Sequence, residues 1–130
     1  MEATIARYKE LLQTLLASPV FPFDDNLRNA LPTAGGVYRI FETHRLENSV
    51  YIGKSTNLQN RIYGNHLMGN RRASTLKRKF IESGRYADEN AVKHYLREKC
   101  SVQFITVDDD AERTSLEHFA VAIVRPAFND

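Results

Sequence analysis

Two short stretches of the chain place a phenol beside glycine inside an apolar run: GGVYRI, which carries Tyr38, and SVYIGK, which carries Tyr51 and then Lys54. A phenol titrates near ~10, so at neutral pH it is a hydrogen-bonding group or a latent base and not a free one. An aromatic ring next to glycine also serves packing, because it covers the gap left by the missing side chain, and the residues by themselves leave both uses open. The second chemical signal is the placement of charge. Net charge is only +2, yet from Asn48 to Ile81 there is no Asp or Glu, while Lys54, Arg61, Arg71, Arg72, Lys77, Arg78 and Lys79 all stand in that span. The rest of the chain is left with eleven basic against sixteen acidic residues. A basic segment in an otherwise acidic protein is the electrostatic footprint of a face that binds polyphosphate, with a solvated basic surface as the plainer alternative.

The elements that must position these groups are bounded by size. At 130 residues, 42% of them hydrophobic, the chain can fill one core. No apolar run approaches the ~20 residues that cross a bilayer, and Arg7, Lys9 and Glu10 interrupt the opening segment, unlike a secretory signal. A soluble, cytoplasmic protein is expected. Cys100 is the only cysteine, so an internal disulfide and a cysteine-rich zinc site are both excluded, and a buried structural thiol is its expected role.

Hydrophobic spacing at Ile5, Tyr8, Leu12, Leu15 and Leu16 predicts an amphipathic helix to about Ala17, broken by Pro19 and Pro22. Asp24 and Asp25 can cap a short helix through Leu31, so residues 1–31 read as a helical extension. GVYRIF and VYIG alternate with period two and predict an antiparallel hairpin with Tyr38 and Tyr51 on one face. Ser55 or Asn57 can cap a helix that carries Leu58 and Ile62 inward, weakened at Gly64. A further helix is predicted from Ser74 to Gly84 with Lys77, Arg78 and Lys79 fanning outward, and another after Asp88 that buries Val92, Tyr95 and Leu96. SVQFITV predicts a third strand, and Asp109 with Glu112 resembles a capping box before a last helix that buries Leu116, Phe119, Ala120 and Ile123 and stops at Pro126. The expected class is mixed α/β, of the α+β kind: a small three-stranded antiparallel sheet flanked by helices.

With those elements in place, the chain resembles the GIY-YIG nucleases. Gly36-Val37-Tyr38 stands for the first signature element, with valine for the middle isoleucine, and Tyr51-Ile52-Gly53 is the second. Lys54, then Asn57, Leu58 and Arg61, continue the pattern; Glu117 in SLEHF and Asn129 in RPAFN match its late glutamate and its terminal asparagine. The ordered set is the specific signal, since a lone YIG is weak. The context LPTAGGVYRIF is similar to the nuclease domain of bacterial excision-repair incision enzymes. The likeness covers residues 32–130, with a basic helical insertion around 68–100.

The resemblance implies a Mg²⁺-dependent DNA endonuclease, with Mn²⁺ able to substitute. Phosphodiester hydrolysis needs an oxygen nucleophile, neutralisation of charge at phosphorus and help for the departing 3′ oxygen. Glu117 is the implied metal ligand, since one carboxylate with waters and phosphate oxygens is how Mg²⁺ is commonly held. Arg61 is implied to grip phosphate through its planar fork. One tyrosine is implied as general base, Tyr38 in preference to Tyr51, with Lys54 lowering the barrier and His66 assisting. Asn129 fixes the carboxylate or a loop. Arg71, Arg72, Lys77, Arg78 and Lys79 are the implied DNA contacts. A monomer that nicks DNA in repair, recombination or the processing of branched or single-stranded substrates is the leading expectation. A dimeric restriction-type enzyme, a non-catalytic nucleic-acid-binding module and a protein adaptor are the alternatives.

Overall fold

The computed structural model describes residues 1–129. Helix α1 (Glu2–Leu16) opens the chain, and the prolines after it enclose a two-residue strand, β1 (Phe21–Pro22), before a single helical turn, α2 (Leu27–Ala30). Strands β2 (Gly36–Glu42) and β3 (Arg45–Ser55) form the hairpin. A nine-residue π-helix (Gln59–Leu67) follows, then α3 (Thr75–Glu82), α4 (Glu89–Lys99), β4 (Cys100–Thr106) and α5 (Asp110–Val124).

Among the described residues the sheet has four strands, not three, in the order β1-β4-β2-β3, and every pairing is antiparallel. The added strand is β1, whose Phe21 sits opposite Val102. Two residues are too few for alternation to register in a sequence, and Pro22 reads there as a breaker. At a sheet edge, however, a proline lacks only a donor that has no ladder partner to reach. Register in the hairpin sets Tyr38 against Gly53 and Ile40 against Tyr51, so both phenols lie on one face, offset diagonally. A Cβ on Gly53 would collide with the hydroxyl and ring of Tyr38, which makes this glycine the space the phenol occupies.

Each sheet face has its own core. Tyr38, Ile40 and Tyr51 pack with Leu58, Ile62, Leu76, Phe80, Val92 and Leu96 under the π-helix, α3 and α4. On the opposite face Val37 and Ile52 meet Leu12 and Leu15 of α1 and Leu116 and Ala120 of α5. Leu15 is fully buried there, and a leucine so placed contributes about 1.5–3 kcal/mol. The expected apolar stripe is narrower than its spacing suggested: Ile5 and Leu16 of α1 and Ile123 of α5 are exposed, while Leu12, Leu15, Leu116 and Ala120 face the sheet. Three side-chain caps form, at the predicted helix starts Ser74 and Asp88 and at the predicted cap Asp109, whose side chains accept the N–H of Lys77, Ala91 and Glu112. Beyond α5, Arg125 takes a left-handed conformation, and the chain turns back along the outer edge of β3, where Ala127 and Phe128 donate to the carbonyls of Ser49 and Val50.

Candidate active site

Arg61 and His66 are five residues apart, a spacing that in an α-helix would point them about 140° from each other. They instead lie in the π-helix, where Met68 N–H bonds to Tyr63 C=O five residues back, so residues five apart stand about one turn above each other. Asn57 starts this segment by accepting the N–H of Asn60 at 2.9 Å. The widened turn aims both side chains at the sheet face that carries the tyrosines.

His66 is fully buried between the two phenols, with ring centroids 5.6 Å from Tyr38 and 5.5 Å from Tyr51. Its Nε2 lies 2.5 Å from the Tyr38 hydroxyl and its Nδ1 2.8 Å from Ser74 Oγ. Burial, reinforced by the charges of Arg61 and Lys77, holds His66 well below its ordinary pKa, so the imidazole is neutral at pH 7. Burial also pushes the Tyr38 phenol up, as does Tyr51, while Arg61 pulls it down. Arg61 is half-buried and braced by Ala73 C=O at 3.0 Å and Thr75 Oγ1 at 3.4 Å, the two residues that flank Ser74.

Tyr51 forms the boundary between this dry network and an open cleft of about 460 Å³, which is also lined by Thr75, Lys79, Glu117, His118 and Asn129. Glu117 projects from α5 with its carboxylate partly exposed, and His118 Nε2 stands 3.8 Å from it. Asn129 does not touch that carboxylate. Its amide pairs with β3 as a peptide group would, accepting the N–H of Ile52 at 2.8 Å and donating to the Ile52 carbonyl at 2.7 Å, which fixes the backbone between Tyr51 and Gly53. The structure thus brings Tyr38, Tyr51, Arg61, His66, Glu117 and Asn129 to one place. Ser74, Thr75 and His118 join them; the predicted helix start marked Ser74, but nothing in its spacing linked it to His66.

Two expectations need correction. Lys54 alternates to the face opposite Tyr51 and donates to Thr114 Oγ1 of α5 at 2.9 Å, so it cannot act on the phenols; the cation beside Tyr38 is Arg61. Lys77 is not part of a solvated fan. It is buried, its ammonium donating to the carbonyls of Leu67 at 2.7 Å and Gly69 at 2.5 Å, and burial, with Lys93 adding to it, pushes its pKa down to about 8. Carbonyls left free where the π-helix ends supply the cage that makes this burial tolerable. Of the remaining basic residues, Arg71 is engaged by Glu89 and Arg78 faces Glu82 at 3.7 Å, Arg72 is exposed, and Lys79 lines the cleft.

Comparison with known proteins places this geometry. Two solved structures of the GIY-YIG N-terminal endonuclease domain of UvrC from Thermotoga maritima superpose on it. Both are tyrosine-to-phenylalanine mutants bound to the catalytic divalent cation. One matches with 20% identity and a TM-score of 0.52, the other with 19% and 0.51, each covering 82% of this chain and 98% of the other. At such identity they establish a shared fold. A comparison with curated protein sequences gave no match. The description of the GIY-YIG catalytic domain as a sequence family matches residues 34–119, a span that runs from just ahead of the strand bearing Tyr38 to the helix bearing Glu117, and the chain therefore belongs to the GIY-YIG family.

Proposed function

We propose that the chain is a divalent-cation-dependent DNA endonuclease that introduces single-strand breaks. The observation that supports this reading is a cleft walled by one phenol, Tyr51, and one partly exposed carboxylate, Glu117, with a buried phenol–imidazole pair and an arginine fork packed directly behind that phenol. Glu117 fits a hard cation: it offers one carboxylate oxygen pair in an open cleft with room for water and phosphate. Among the described residues no three His, Cys, Asp or Glu side chains converge, so the donor set does not resemble a closed protein cage. Bound there, Mg²⁺ or Mn²⁺ supplies neutralisation of charge on the phosphate and the leaving 3′ oxygen.

The chain's own residues supply the rest. Arg61, braced by the carbonyl of Ala73, presents its fork to the non-bridging oxygens, where negative charge builds in the transition state. Tyr51 forms the cleft wall and orients the attacking water. Tyr38, set behind Tyr51 and closed to the cleft, takes the proton from that water by way of the Tyr51 hydroxyl. Asn129 keeps Tyr51 in register by clasping Ile52. One chain holds one such set, so a monomer cuts one strand per encounter. A soluble cytoplasmic enzyme acting on branched or single-stranded DNA in repair or recombination is the setting that suits this chemistry, and no helix among the described residues is long and apolar enough to cross a membrane.

Supercoiled plasmid incubated with the protein and Mg²⁺ or Mn²⁺ should accumulate nicked circles, and excess chelator should stop the reaction. Linear product without a nicked intermediate would indicate the dimeric, restriction-type arrangement. No cleavage of plasmid, branched or single-stranded DNA with either cation would overturn the proposal.

A further inference from the structure

Among the described residues, the Ser74 hydroxyl has two partners. It accepts the backbone N–H of Lys77 at 3.0 Å, closing the start of α3, and it lies 2.8 Å from His66 Nδ1. Ser74 is fully buried. A serine hydroxyl has one hydrogen to give, and the Lys77 N–H cannot receive it, so Nδ1 is the acceptor within reach. Were Nδ1 protonated instead, two N–H groups would converge on one oxygen and the hydroxyl hydrogen would be sealed in the core with no acceptor. The other side of the ring is less constrained. Tyr38 can accept from Nε2–H and turn its own hydrogen toward Tyr51, the phenol beside it on the sheet face.

We infer that Ser74 is a positioning residue that holds His66 as the Nε2–H tautomer, so that His66 donates to the Tyr38 oxygen and does not receive its proton. The consequence for catalysis rests on the reading of Tyr38 as the base. His66 and Arg61 then stabilise the Tyr38 phenolate by donation. Tyr38 releases its own proton to solvent by way of Tyr51, and the phenolate oxygen takes one proton from the attacking water by the same way. The water oxygen bonds to phosphorus, and the departing 3′ oxygen is protonated from solvent. His66 neither gains nor loses a proton in that cycle. The arrangement also assigns a purpose to the segment 73–75, which braces Arg61 from Ala73 and Thr75 and His66 from Ser74.

The test is the imidazole itself. Long-range ¹H–¹⁵N correlation spectra of the full chain, histidine-labelled and metal-free near neutral pH, should show His66 with Nε2 protonated and Nδ1 bare; a protonated Nδ1 overturns the inference. Ser74→Ala should release the ring to the other tautomer or a mixture, and Ser74→Thr, which keeps both hydroxyl and cap, should restore the wild-type pattern. An alanine variant that retains the Nε2–H pattern also overturns it, and if that variant does not fold the wild-type spectrum decides. In cleavage, Ser74→Ala should lower kcat with KM unchanged, and Ser74→Thr should recover it. Nε2–H in a protein that cuts no DNA would sink the nuclease reading alone, whereas cleavage with Nδ1–H would sink this inference alone.

Discussion

Tyr38 and His66 meet at 2.5 Å with no exposure to solvent, whereas Glu117 and His118 stand 3.8 Å apart on the wet side of the same cleft. The difference is one of constraint. On the dry side each polar atom is held by the next: Tyr38 by His66, His66 by Ser74, Ser74 by the first turn of α3, and the end of the π-helix by Lys77. A change there disturbs folding as well as chemistry, because a buried partner is left without its bond. On the wet side one carboxylate faces room for an ion and its waters. A change there should touch chemistry and leave the fold alone.

The largest expected effect comes from Tyr38→Phe. Removing the hydroxyl should lower the cleavage rate by ~10²-fold or more, the usual scale for losing a general base. It also strips His66 Nε2 of its partner, at about 1–3 kcal/mol of stability. Rate and thermal midpoint measured together check this, with Glu117→Gln as the control that should lose rate but keep its midpoint. Equal midpoints for both variants would break the contrast between the halves.

Gly53→Ala probes the dry half through space alone. The added methyl meets the Tyr38 hydroxyl and ring, and such overpacking costs about 1–3 kcal/mol, which denaturant unfolding would register. An unchanged midpoint would mean that the phenol has somewhere else to go.

The pH dependence of stability separates two buried bases. His66 sits well below its ordinary value near 6.5, so below that pH the unfolded chain binds a proton that the native state refuses. Stability is therefore full above ~6.5 and falls on acidification with a limiting slope of about 1.4 kcal/mol per pH unit, a slope that His66→Gln should reduce. Lys77 acts in the alkaline range. Its native amine loses its proton at about 8, while the unfolded chain keeps it to 10.5, so stability should rise between those values. A neutral amine still has two hydrogens for the carbonyls of Leu67 and Gly69. Lys77→Met should abolish the alkaline rise.

The smallest effect concerns DNA. Exposed Arg72 and Arg78 should each reduce the slope of log K against log salt by ~0.9 when changed to alanine, if each contacts a duplex phosphate. Lys77→Met should leave that slope unchanged and lower the thermal midpoint. A slope change for Lys77 with none for the arginines would return the buried lysine to the surface.

What the sequence disclosed and what it withheld follow from the range of the forces involved. Helix starts at Ser74 and Asp88 and the cap at Asp109 were legible because one side chain reaches one N–H within three residues. The phenols on one face followed from strand alternation, and the signature spacing brought Arg61, Glu117 and Asn129 into consideration. The four-strand sheet was not legible, since β1 exists only because β4 offers it a ladder. Nor was the π-helix, whose extra residue per turn leaves no mark in apolar spacing beyond the weak point at Gly64. Lys77 lay in a Lys-Arg-Lys run that reads as a solvated face, and its burial depends on carbonyls ten and eight residues before it. The role of Lys54 was misread because adjacency in a strand means opposite faces.

The account turns on Glu117 holding the ion that the reaction needs while contributing nothing to the fold or to the grip on DNA. Glu117→Gln, assayed for plasmid nicking with Mg²⁺, for DNA binding without turnover and for thermal unfolding, tests that most directly. Nicking should disappear, while the affinity for DNA and the thermal midpoint stay at their wild-type values; nicking at the wild-type rate in this variant would contradict the account.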